Sequence, residues 1–191
     1  MNNKTVVITG ASSGIGEATA YAFAAKGANL ALAARSVDKL NEVKQRCEQL
    51  GAKVLVVKCD VSLEEHCRNL VNETVKAFYG IDVLINNAGI SMRAMFNDCD
   101  MTVIRQVMDI NFWGSVYCTK YALPYLLKSK GSVVAVSSLA GIAGLPGRTG
   151  YSASKFALAG FMQSLRIENL KNDLHVGIVY PGYTASNIRN T

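Results

Sequence analysis

Six short apolar runs, each followed by a longer segment with helical spacing, constrain most tightly how this chain can fold. The runs cover residues 5–9, 29–34, 54–58, 83–86, 132–137 and 176–180, and they are almost continuous in Val, Ile, Leu and Ala. A strand with one wet face alternates apolar with polar residues, whereas a strand buried on both faces does not. Such runs separated by helical patterns are the signature of βαβ units, so the chain reads as a doubly wound α/β fold on a parallel sheet of six visible strands.

The intervening segments carry the helices. Ile15, Ala18, Ala22 and Ala25 form a small-residue face suited to close packing, and Leu40, Val43, Cys47 and Leu50 recur at helical intervals. Ser62 with Glu65 three residues later reads as a capping box, opening a helix with Cys67, Val71, Val75 and Phe78 on its inner face. Residues 99–129 hold two further helical stretches, with a kink expected at Pro124, and 151–170 hold another. No repeat, low-complexity tract or Pro/Ser-rich linker marks a boundary, so 1–191 reads as one domain. Pro181, Gly182 and nine more residues follow the sixth run without turning into a further element, which reads as an incomplete C-terminus.

Composition excludes several classes. Half of the 191 residues are apolar and 18% are charged, a balance that excludes a disordered chain. No apolar run approaches the roughly 20 residues of a membrane span, and the short run after Lys4 leads into a glycine-rich turn instead of a signal segment; a cytoplasmic protein is expected. The net charge of +6 comes from Lys and Arg scattered singly, not from a basic stripe with interleaved aromatics, so no nucleic-acid partner is expected. Five cysteines without a C-x-x-C pair read as reduced core residues, and with only His66 and His175 present no metal site is expected.

The first run ends in Thr9-Gly10-Ala11-Ser12-Ser13-Gly14-Ile15-Gly16 and opens a helix. Gly10 permits the tight turn, Gly14 lets the backbone approach a ligand, and Gly16 allows close contact of helix and sheet. The helix N-terminus then aims unpaired N–H groups at a pyrophosphate, with Ser12, Ser13 and Ile15 around it. The motif lacks the Lys-[Ser/Thr] end of a phosphate-loop ATPase. Its spacing, G-x-x-x-G-x-G, resembles that of the short-chain dehydrogenase/reductase family. That family's other marks follow in order: Asp60-Val61 after the third run, Asn86-Asn87-Ala88-Gly89 after the fourth, and Asn111 between two helical stretches. Ser138 stands thirteen residues before Tyr151, Tyr151 and Lys155 form a Y-x-x-x-K pair, and Pro181-Gly182 follow the sixth run. The resemblance spans essentially the whole chain and implies a Rossmann fold.

The residue chemistry agrees with it. Tyr151 and Lys155 are one helical turn apart and share a face. A phenol is a poor proton carrier at neutral pH, but an ammonium nearby favours its phenolate. Ser138 can donate a hydrogen bond to a substrate oxygen as charge develops there. The resemblance makes Asn111 the holder of a water that links Lys155 to solvent, puts Asp60 against adenine, and gives Asn86 a structural part in tying strands together. Where an acid would bind the ribose hydroxyls of NAD stands Ala34; Arg35 and Ser36 follow, so NADP(H) is favoured over NAD, the alternative being that Arg35 only stacks on adenine.

The expected activity is hydride transfer between NADP(H) and a small-molecule carbonyl or secondary alcohol. Two departures from the family pattern stand out. Its P-G-x-x-x-T motif carries Ser186 in place of Thr, with Thr184 two residues earlier, so either hydroxyl can face the nicotinamide; and the usual seventh strand and lid are missing from the sequence. Ser91, Met92, Met95, Phe96, Ile142 and Leu145 are candidates for an apolar pocket, or for core and surface. A nucleotide-sensing protein on the same fold is the second reading, although it would be expected to lose Tyr151 or Lys155. An adenosylmethionine-dependent methyltransferase explains neither N-N-A-G nor Y-x-x-x-K. Phe112, Tyr117, Tyr121, Phe156, Phe161 and Met162 exceed what one sheet face can bury, which points to a homodimer or homotetramer.

Overall fold

In the computed structural model, which describes residues 1–182 and Thr184, strands and helices alternate as the periodicity implies. Ser186 lies outside the described residues. The strands are β1 (Thr5–Thr9), β2 (Asn29–Ala34), β3 (Val54–Lys58), β4 (Val83–Asn86), β5 (Ser132–Val136) and β6 (His175–Val179). The last two end one residue earlier than expected. All pair in parallel in the order β3-β2-β1-β4-β5-β6. The order reverses between β1 and β4, and in such sheets the crevice at the strands' carboxyl ends is the place for a ligand.

The helices are α1 (Gly14–Ala24), α2 (Val37–Gln49), α3 (Glu64–Phe78), α4 (Met101–Met108), α5 (Gly114–Ser129) and α6 (Thr149–Glu168). Ala20, Ala24, Leu40, Val43 and Cys47 cover one face of the sheet from α1 and α2. Leu70, Val71, Leu126, Leu158 and Met162 cover the other from α3, α5 and α6.

Burial on both faces holds for β1, β2 and β4 but not for every strand. In β5 buried residues alternate with partly exposed ones, and in β6 only Val176 is buried, because the described helices on the α1 side stop short of these two strands. A second correction concerns α1. Ile15, Ala18, Ala22 and Ala25 face outward, while Gly16, Ala20 and Ala24 are buried. A helix this rich in Ala presents small residues on more than one face, and the approach of Gly16 to the turn selects which one faces in.

The capping box at Ser62 does not form. Asp60 Oδ1 accepts from Ser62 N–H at 3.1 Å and from Ser62 Oγ at 2.7 Å, and the helix starts at Glu64 behind Leu63, which offers no capping side chain. The carboxylate two residues upstream captures the serine first. Pro124 stays inside α5, and the interruption falls earlier: Asp109–Trp113 form a single π-type turn that joins α4 to α5. Met162 is core, with 1% of its surface exposed, so it adds nothing to the outer aromatic face; it points down onto the sheet beside Leu158. Among the described residues no helix is long and apolar enough to cross a membrane. All five cysteines are free thiols, four of them buried.

Candidate active site

The glycine motif and the N-N-A-G motif form one clasp across β1 and β4. Thr9 Oγ1 accepts the backbone N–H groups of Asn87 and Ala88, both at 3.0 Å. Asn87 Nδ2 donates back to Thr9 O at 3.0 Å and Gly10 O at 3.1 Å. Gly10 turns the chain at φ +65, and a Cβ there would lie 2.8 Å from Ala88 Cα. A Cβ on Gly16 would lie 2.3 Å from Gly10 O. Only glycine lets helix, turn and strand end meet this closely. Asn86 is not the strand tie expected; its Nδ2 donates to Thr119 Oγ1 on α5 at 2.9 Å, and Asn87 does the tying. Successive residues of a strand point to opposite faces, which assigns the two asparagines to different neighbours.

Above this clasp opens a cleft of about 890 Å³. It is lined by Gly10, Ser12, Ser13, Gly14 and Ile15 from the turn, Arg35 and Ser36 after β2, Asp60 and Val61 after β3, and Asn87, Ala88 and Gly89 after β4. Ser138, Tyr151, Lys155, Pro181, Gly182 and Thr184 complete it. Of the predicted residues, Gly16 and Asn111 stand behind its wall. Ser91 and Leu145 line the cleft, whereas Met92 is buried and Met95, Phe96 and Ile142 are exposed away from it.

The groups present suit a dinucleotide. Ser13 precedes α1 without capping it by its side chain, and the first N–H of the helix to find a backbone partner is that of Glu17, on Ser13 O. The N–H groups before it open onto the cleft, a donor set fitted to a pyrophosphate. The cleft's size is within the range of small-molecule and cofactor sites.

At the other end, Asn111, Lys155 and Ser138 are each held by hydrogen bonds to backbone. Asn111, fully buried in the π-type turn, accepts Ile90 N–H on Oδ1 at 2.8 Å and donates from Nδ2 to Ile90 O and Ser154 Oγ, both at 3.0 Å. Ser154 Oγ donates in turn to Tyr151 O at 2.7 Å. The loop after β4 is thereby locked to the first turns of α6. A Cβ on Gly89 would lie 3.2 Å from Asn111 Oδ1 and 3.6 Å from Lys155 Nζ, so both groups border the space that this glycine leaves free.

Lys155 Nζ donates to Val136 O at 2.9 Å and lies 5.8 Å from the Tyr151 ring centroid. Only 3% of Lys155 is exposed, and this burial pushes its pKa down to about 8, because the charged form loses its hydration. Ser138, just after β5, accepts Ala140 N–H on Oγ at 3.2 Å. With that lone pair engaged, the hydroxyl proton is free to point into the cleft.

Two residues of this network, Ser154 and Arg148, have no role in the sequence reading, which placed Thr9 in the glycine motif without a hydrogen-bonding part and Ser91 only among the candidates for an apolar pocket. Arg148 donates to Ser91 Oγ. Ser154 had one local signal, its position between Tyr151 and Lys155 on α6; the Ser91–Arg148 pair is 57 residues apart and had none.

The short chain dehydrogenase family profile matches residues 4–191. Over 187 residues, 97% of the chain, it is 48% identical to 11-beta-hydroxysteroid dehydrogenase 1A of Arabidopsis thaliana, covering 53% of that protein. The chain thus spans about half the length of this curated relative. Levodione reductase superposes over all of the chain and 76% of its own length, with a TM-score of 0.96 at 29% identity. An alcohol dehydrogenase from the archaeon Thermococcus sibiricus, complexed with 5-hydroxy-NADP, superposes over 94% of this chain and 76% of its own, with a TM-score of 0.91 at 31% identity.

Proposed function

Because the chain belongs to the short-chain dehydrogenase/reductase family, whose members use NAD or NADP, we propose that it transfers hydride between NADP(H) and a carbonyl or secondary alcohol. The observation that carries this reading is that Tyr151, Lys155 and Ser138 line the same cleft as the glycine turn. A bound nicotinamide supplies or accepts the hydride. The protein's part is to bind, orient and move a proton.

Tyr151 is the acid/base. Its hydroxyl protonates the carbonyl oxygen in reduction and takes the proton back in oxidation. Lys155 shares a helical face with Tyr151, its Nζ 5.8 Å from the ring centroid, and with one donor on Val136 O it keeps others for a ribose hydroxyl. Ser138 donates to the same substrate oxygen, stabilising the negative charge that grows there. Asn111 positions the loop and α6, and a water beside it and Gly89 links Lys155 to solvent. Arg35 and Ser36 receive the 2′-phosphate, which favours NADP(H). Thr184, Pro181 and Gly182 border the nicotinamide.

The names of the relatives include a hydroxysteroid dehydrogenase, an alcohol dehydrogenase and a levodione reductase, which supports alcohol and carbonyl chemistry without singling out one substrate. The same reading takes residues 1–191 as one dinucleotide-binding and catalytic domain. A cytoplasmic location fits the five free thiols. A homo-oligomer joined through α5 and α6 fits the half-exposed Phe156 on α6 and the half-exposed Trp113 at the end of the π-type turn that leads into α5. The test is a panel of carbonyl compounds incubated with NADPH or NADH while the nicotinamide absorbance band is followed. Consumption of NADPH in preference to NADH is expected; binding of either cofactor without turnover of any compound would favour a sensor.

A further inference from the structure

Two guanidinium groups at the substrate end of the cleft have no part in the hydride-transfer scheme. Arg148 stands three residues before Tyr151, and Arg93 four residues after Gly89; both line the cleft that Tyr151 and Ser138 also line. Their loops are stitched together where Ala94 N–H donates to Gly147 O at 3.1 Å. Arg148 is half-buried, and its partner among the described residues is the hydroxyl of Ser91, itself buried. Neither arginine forms an ion pair with any described residue.

Asp60 is the one carboxylate among the described residues lining the cleft. It cannot serve them. It follows β3 at one edge of the sheet, with β2, β1 and β4 lying between that strand and β5, and it already accepts from Ser62. A partly desolvated guanidinium bonded to a neutral hydroxyl leaves most of its planar fork of donors unused. Two parallel N–H groups of that fork match the two oxygens of a carboxylate, and partial burial strengthens the attraction relative to bulk water.

We propose that the substrate of this site carries a carboxylate, received by Arg148 with Arg93 beside it, so that the reaction interconverts an oxo acid and a hydroxy acid. This rests on the hydride-transfer reading above. In the reducing direction the carbonyl carbon gains a hydride from reduced nicotinamide, the C=O π pair moves onto oxygen, and that oxygen takes the Tyr151 proton. The carboxylate is unchanged and stays paired with Arg148 throughout. Leu145, on the same wall, meets the apolar body of the substrate.

The test uses para-acetylbenzoate and levulinate, each beside its methyl ester, in turnover with NADPH and in titration calorimetry on the full chain. In the native protein, kcat/KM for an acid should exceed that for its ester by about tenfold or more, as a charge-assisted hydrogen bond implies. Arg148→Met should bring the ratio near unity, and Arg93→Met should lower it by less. Arg148→Lys, which keeps the charge but loses the fork, should fall between and serves if Arg148→Met does not fold. Calorimetry separates this proposal from the reading beneath it. An acid that binds in an Arg148-dependent way without any turnover supports the anion site and overturns hydride transfer. Equal handling of acids and esters, an acid preference that survives Arg148→Met, or absence of Arg148-dependent binding overturns the anion site.

Discussion

At the end of the cleft that follows β5, Lys155, Ser138 and the Asn111 behind them are bonded to backbone before any ligand enters, whereas at the end that follows β2 Arg35 stands in water. Lys155 rests on Val136 O, Ser138 on Ala140 N–H, and Asn111 on both peptide groups of Ile90. Arg35 is exposed, and Ser36 precedes α2 without capping it by its side chain. The difference follows from the two tasks. Proton transfer tolerates little misplacement, so its groups must be fixed in advance. Recognition of a phosphate by a guanidinium acts at longer range and can be completed when the anion arrives.

If this contrast is right, damage at the buried end should abolish chemistry and damage at the exposed end should only shift affinity. The largest effect is expected from Tyr151→Phe. The ring still packs but the transferable proton is gone, so turnover should fall by about 10²–10⁴-fold while cofactor affinity stays near the native value. Steady-state rates with cofactor titration check this, and retained activity would remove Tyr151 from the acid/base role.

Next comes the buried charge. Folding takes the Lys155 pKa from an ordinary 10.5 down to about 8. Between those two values the unfolded chain holds the proton and the folded one releases it, so the contribution of Lys155 to stability rises with pH across that window. Below it the charged group is destabilising by about 3 kcal/mol. Denaturant unfolding of the native protein and Lys155→Met should therefore show a difference that moves in favour of the native lysine by about that amount from pH 7 to pH 10.5. A difference independent of pH would mean that the ammonium is better solvated than its burial implies.

The smallest effect belongs to the exposed end. Arg35→Ala should weaken NADP(H) by roughly 1.5–3 kcal/mol, the range of a hydrogen bond to a charged group, with NAD(H) nearly unchanged. Titration of both cofactors into both proteins decides it, and equal losses would show that Arg35 stacks on the adenine without meeting the phosphate.

Much of this architecture was legible because strand runs and motifs are local records of burial and spacing. The six apolar runs located the sheet to within a residue: β1, β2 and β4 are apolar because both faces are buried, and β5 and β6 keep apolar residues although one face is only partly covered. The order T-G-x-x-x-G-I-G, N-N-A-G, Ser138 and Y-x-x-x-K pointed to the family, and a parallel sheet brings the ends of successive strands to one edge. Where local pattern was ambiguous, the reading went astray. The alanines of α1 offered two inward faces, and Ser62 had two competing partners.

From sequence alone come the fold class, the glycine turn and the pairing of Tyr151 with Lys155 on one helical face, because each depends on neighbours within a single element. Tertiary structure alone decided the rest. It placed Thr9 under the N–H groups of Asn87 and Ala88 and gave Asn86 to α5. It opened a π-type turn that brings Asn111 to Ile90, and it set Arg148 on Ser91. These partners lie 21 to 79 residues apart, and which of them meet depends on strand order and register, which no pattern within one element records.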